Sequence, residues 1–192
     1  MHTTRSAAVA VAVAFLSILS LLGLDARPAA AAVSTGSLDA SKDVTWVESG
    51  TTRRLRASMG LTVNDYGAYG TIHGYLKGQT FGQSNYKICT AGTITLYAKI
   101  GSPSSLRPEL NKGWQLVDIQ VVSAGNDKFI FKQTDCRANS TTAGWGYGSQ
   151  DPIRWSSSTW RVYKVSAVST TWNTFRDGRV AYQVTASTSA SV

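Results

Sequence analysis

The stretch from Trp114 to Cys136 constrains the fold more than any other. It reads W-Q-L-V-D-I-Q-V-V, then S-A-G-N-D, then K-F-I-F-K-Q-T-D-C. Two runs rich in β-branched and aromatic residues flank five residues of turn chemistry, which is a hairpin signal. The second run ends in Cys136, and the only other cysteine is Cys89. A bond between them ties this hairpin to a strand around Ile88.

The same grammar runs through most of the chain. Leu55 to Asn64 reads as a strand with a bend at Gly60. Tyr69 to Lys77 and Thr93 to Ile100 alternate, the latter with Ile94, Leu96, Ala98 and Ile100 on one side. Tyr86 to Thr90 is short and carries Cys89. Trp160 to Ser169 is a strand, and Thr171–Arg176, Asp177-Gly178 and Arg179–Ala186 form a second hairpin. Between the hairpins, Arg137 to Ser158 is a connection rich in Gly, Ser and Thr. Nine or ten short strands and no helix beyond a turn at Glu109–Lys112 predict an all-β chain. The expected architecture is an antiparallel β-sandwich, jelly-roll-like, with one disulfide and an N-terminal extension, in preference to a barrel.

Residues 1–32 read as a signal peptide. Arg5 precedes an apolar run from Ala7 to Leu24, and Ala29–Ala32 supply small-residue cleavage sites. The expected division is therefore a leader at 1–32, an extension at 33–52 and a sandwich domain at 53–192. The leader removes Arg5, Arg27 and Asp25 from 19 basic and 11 acidic residues, which leaves 17 and 10, a net +7. That balance favours acidic partners. The basic residues are scattered, with only Arg53-Arg54-x-Arg56 clustered, so nucleic acid is not expected. Nor is a membrane association after cleavage. Secretion and two cysteines together predict a disulfide, Cys89–Cys136. Chain-entropy arithmetic for such a loop gives roughly 4 kcal/mol.

Within the extension, Val33 to Lys42 is small and polar and reads as flexible. Asp43–Glu48 is a short apolar extended patch. It is either the first strand of the domain or an arm that docks on another protein, with Val44, Trp46 and Val47 as its contacts.

Catalytic equipment is sparse. His73 is the one histidine outside the leader and sits on the polar side of an alternating strand. No nucleophile elbow accompanies it. Most carboxylates fall at turns; Asp118, inside L-V-D-I-Q, reads as solvent-facing. Nothing spells out a metal site, a phosphate loop or a cofactor. Aromatic residues are plentiful. Trp145, Tyr147 and Trp155 lie in the Gly/Ser-rich connection and are the candidates for loop binding of a glycan or a protein.

These residues leave an adaptor, a carbohydrate-binding (lectin-like) module and a secreted protease inhibitor as readings, with a small wall hydrolase behind them. The Ala-rich leader, the polar extension with its extended apolar segment, and the two-cysteine all-β domain resemble the small adaptor subunit of streptomycete umbrella toxin particles. The resemblance implies a jelly-roll-like sandwich without enzymatic activity. It implies a bridge between a large repeat-bearing toxin subunit and a lectin-bearing subunit in an extracellular antibacterial complex. It also implies that the extension, about Ser41 to Thr52, inserts into a cleft of the latter.

Overall fold

The computed structural model describes residues 33–67, 69–82, 87–100, 109–123, 125–156, 160–175 and 177–192. The leader at 1–32 lies outside them. Ten strands follow in order: β1 (Ser34–Glu48), β2 (Thr51–Asp65), β3 (Tyr69–Phe81), β4 (Lys87–Ile100), β5 (Gln115–Ser123), β6 (Asn126–Ala138), β7 (Thr142–Tyr147), β8 (Ile153–Ser156), β9 (Trp160–Thr174) and β10 (Val180–Ser191). One sheet has the order β1-β2-β3-β7, with β8 also on β3; the other is β10-β9-β4-β6-β5. Every pairing is antiparallel. The sheets stack face to face, β1 over β10, β2 over β9, β3 over β4 and β9, and β7 over β4 and β6. The chain passes between sheets at β3–β4, β6–β7 and β8–β9, as in a jelly-roll-like sandwich.

Period-two patterning explains the core. In β2, Leu55, Ala57, Met59, Leu61 and Val63 point inward and are buried, while the residues between them are not. They meet Ile88, Ile94, Leu96, Phe131 and Val165 from the other sheet in one cluster. The disulfide joins Cys89 of β4 to Cys136 of β6, which face each other in the ladder with Cα atoms 4.1 Å apart. It lies on the outer face. Cys89 is nonetheless buried, because Trp172 of β9 is its cross-strand neighbour on the other side.

Of the stretch from Val33 to Lys42, expected to be flexible, Ser34 onward belongs with Asp43–Glu48 to a single strand, the first of the two readings of that patch. Ser34–Glu48 pairs with β2 over its whole length, from Ser34 against Asp65 to Glu48 against Thr51. Ser49 and Gly50 make the turn, both with positive φ (50° and 76°), the geometry a two-residue hairpin needs. A small, polar strand succeeds here because β1 is at the margin of the sandwich. Gly36 and Leu38 are the two positions it buries. Gly36 is required by the close approach of the last strand: a Cβ there would come within 2.5 Å of the Ser191 carbonyl oxygen. The connection at 137–158 differs too. It contains β7 and β8, both hydrogen-bonded to β3.

A buried carboxylate ties the sheets at one end. Asp65, 5% exposed at the end of β2, accepts hydrogen bonds from the Gly67 amide at 2.6 Å and from the Val162 amide of β9 at 3.0 Å. Asp65→Ala removes the carboxylate that accepts from both amides. We expect it to cost about 2–3 kcal/mol in urea denaturation, whereas substituting the exposed Asp177 should change little. An unchanged Asp65→Ala midpoint would remove this tie from the account.

Candidate protein-docking surfaces

The structure reassigns several residues singled out in the sequence. Val44 and Trp46 lie on the inner side of β1 and pack against the core; the Trp46 ring stacks on Tyr182 of β10 at 3.9 Å. Val47 faces outward and is 71% exposed. As a constituent strand of the sheet, this segment is not a free arm. Trp155 is 2% exposed in β8, lying against Gly70, and offers no surface to a ligand. Trp145 and Tyr147 of β7 are half-buried. Trp145 packs at 5.8 Å from the ring of Trp114. The Tyr147 hydroxyl accepts from Trp114 Nε1 and donates to Gln133 Oε1, both at 3.0 Å. Burial holds the Tyr147 phenol above its ordinary pKa. This group closes the sandwich between β7 and β6, and both side chains pack against the core.

The arginine cluster is likewise engaged. Arg56 grips Asp43 with two hydrogen bonds, at 2.7 and 2.9 Å, and holds that carboxyl below its ordinary pKa. Arg54 lies over the Phe81 ring at 3.9 Å. His73 stands opposite Thr62 on the outer face of the first sheet. It has no hydrogen bond to a serine or carboxylate among the described residues.

The most exposed edge strand is at one end of the second sheet. β5 pairs with β6 and, among the described residues, has no strand on its other side. Among the described residues, β7 of the opposing sheet lies over β4 and β6, and β5 has little cover from that sheet. Every residue in it except Leu116 is exposed. They include Val117 (49%), Ile119 (38%), Val121 (78%) and Val122 (50%). Leu116 and Ile119 stand opposite Phe131 and Phe129, the inward-facing residues of β6, and Gln115, Asp118 and Gln120 look outward. The register skips at Val117 and Val122. One charge decorates this edge, Asp118, and Gln120 donates to it at 2.7 Å. An apolar, lightly charged open edge is a template for another strand.

A basic face adjoins it. On the outer side of the same sheet, the ladder places Lys128 of β6 and Lys164 of β9 on either side of Tyr97 of β4. Their ammonium groups lie 5.4 and 5.1 Å from its ring centroid. Lys99 and Lys132 share this face. None of the four forms an ion pair among the described residues. These lysines are far apart in sequence, and only the pairing of three strands gathers them.

No known protein family matches the chain, and no curated protein matches it. Among solved structures, it is aligned with the Clostridium perfringens NetB toxin in its membrane-inserted form. The two are 9% identical, the alignment covers 82% of this chain and 94% of that one, and the TM-score is 0.19. At that score the likeness carries no argument about fold or activity.

Proposed function

We propose that this protein is an exported adaptor that binds other proteins and performs no chemistry. The observation that carries the reading is the open β5 edge. Leaving its aliphatic side chains in water is unfavourable by about 25 cal/mol per Å² of apolar surface, so burying them drives association. The cationic Lys–Tyr face supplies the second surface a bridging protein needs, suited to an acidic partner surface. A disulfide fits an oxidising, extracellular setting. In the umbrella-particle adaptors that the sequence resembles, the bridged proteins are a large repeat-bearing toxin subunit and a lectin-bearing subunit; we take those as the partner classes. Docking is here assigned to β5 and the lysine face rather than to Val44, Trp46 and Val47. A lectin role has less support with Trp155 in the core and Trp145 and Tyr147 half-buried against it.

Affinity purification from the producing culture tests this. Large secreted proteins should co-purify with the tagged protein. Recovery should fall by roughly tenfold or more with Val121→Lys, the loss of about 1.4 kcal/mol or more of binding energy. Recovery of an acidic partner should fall with Lys128→Glu/Lys164→Glu and with added salt. Equal recovery by all variants would contradict the reading.

A further inference from the structure

We infer that the β5 edge pairs with the β5 edge of a second copy, antiparallel and centred on Ile119. This rests on the docking reading above and names its occupant. The edge reads Q115-L-V-D-I-Q-V-V-S123, which is self-complementary about its middle residue. A two-fold axis through Ile119 sets Ile119 against Ile119 and Val117 against Val121, and the register skips at Val117 and Val122 bound this central paired segment. Asp118 then faces the partner's Gln120, a carboxylate against an amide donor. The same donor–acceptor pair already forms within one chain, at 2.7 Å.

The neighbouring registers are worse. Centring on Asp118 brings two carboxylates directly together, and like charges directly opposite destabilise a strand pair. Centring on Gln120 sets Asp118 against Val122 and leaves the carboxylate without a donor opposite it. Because side chains alternate from Asp118 to Val121, a shift of half a step would put inward residues there against outward ones. The self-pairing is therefore specific in register as well as favourable in composition. It is an isologous contact, the kind that two-fold dimers use. It joins two five-stranded sheets into one of ten strands, in the order β10-β9-β4-β6-β5 and then its mirror sequence. Both lysine faces then lie on the same side, so the dimer offers two equivalent sites to an acidic partner.

The test uses the absence of any free thiol among the described residues and the fact that both cysteines of the chain are bonded to each other. Under mild oxidation the secreted protein carrying Ile119→Cys should form a covalent dimer in most of the sample. Asp118→Cys and Gln120→Cys should each fail alone and cross-link when mixed. Val47→Cys, on a more exposed residue of β1, should stay monomeric. Sedimentation needs no thiol: the unmodified protein should sediment as a dimer at tens of micromolar and Ile119→Lys as a monomer. A monomeric unmodified protein, or Val47→Cys cross-linking as well as Ile119→Cys, overturns the inference. If the protein is monomeric and Val121→Lys still loses secreted partners, β5 serves a different protein and the docking reading stands. If dimers form and nothing co-purifies, the adaptor reading fails and the self-pairing stands.

Discussion

Deleting residues 33–48 should abolish the cooperative unfolding transition or lower it by about 12–24 °C. The deletion removes β1, a full edge strand, and with it Leu38, which is 1% exposed, and the Trp46 ring stacked on Tyr182. Losing a buried leucine alone costs about 2–5 kcal/mol, and an aromatic pair adds about 0.5–1.5 kcal/mol. Ala40 and Val44 also leave the core, and the inner face of β10 loses its cover. A total of roughly 6 kcal/mol or more is comparable with the whole net stability of a typical domain, and each kcal/mol moves Tm by about 2–4 °C at this size. The new edge, β2, is long and regular, so the truncated chain should also aggregate. Differential scanning calorimetry of the truncated protein checks this. A transition within a few degrees of the intact chain would return residues 33–48 to the status of a dispensable arm.

Breaking the disulfide is the second large effect. Cys136→Ser, or reduction, should lower stability by roughly 4 kcal/mol, and Tm by about 8–16 °C. The cysteines are 47 positions apart, and the segment between them includes β5 and the first ten residues of β6. Once the link is cut, β6 and the β5 edge it carries are held by their ladder hydrogen bonds and by core side chains such as Phe129 and Phe131. The variant should lose its β5-dependent partners at temperatures where its far-ultraviolet dichroism is still native, because the edge frays before the sandwich melts. Coincident loss of binding and of secondary structure would show that the cross-link guards the whole domain and gives the edge no special protection. A Tm shift below about 3 °C would show that the bond contributes little, at odds with the loop-closure estimate.

The fold was legible where alternation is strong. The turn after Val122, the paired runs of β5 and β6, the period-two core of β2 and β4, and the single cross-link all follow from residue type and spacing. β1 was obscured because a marginal strand buries few side chains. Its inward positions begin with Gly36, Leu38 and Ala40, too few and too small to make an apolar pattern. β8 was hidden for a different reason: it has four residues, and it is a strand because Ile153 and Trp155 are held against β3. Tertiary packing, not propensity, decides such a segment.

The candidate surfaces were less legible still. Alternation in V-D-I-Q-V is the same in a central strand and in an edge strand; only the sheet order shows that β5 lacks a second neighbour. Lys99, Lys128, Lys132 and Lys164 look scattered in the chain, and strand register brings them around Tyr97. Conversely, Trp155 stood in a Gly/Ser-rich segment and looked available, yet Gly70 across the ladder leaves room for its ring in the core.

Hydrogen exchange on the complex recovered from culture, compared with the isolated protein diluted until it sediments as a monomer, tests the central claim most directly. Amides on the open side of β5 have no ladder partner among the described residues of one chain. If this edge is where proteins dock, amides within Gln115–Ser123 should exchange at least tenfold more slowly in the complex, while β1 is unchanged. Protection confined to β1, with β5 exchanging equally fast in both samples, would contradict the account.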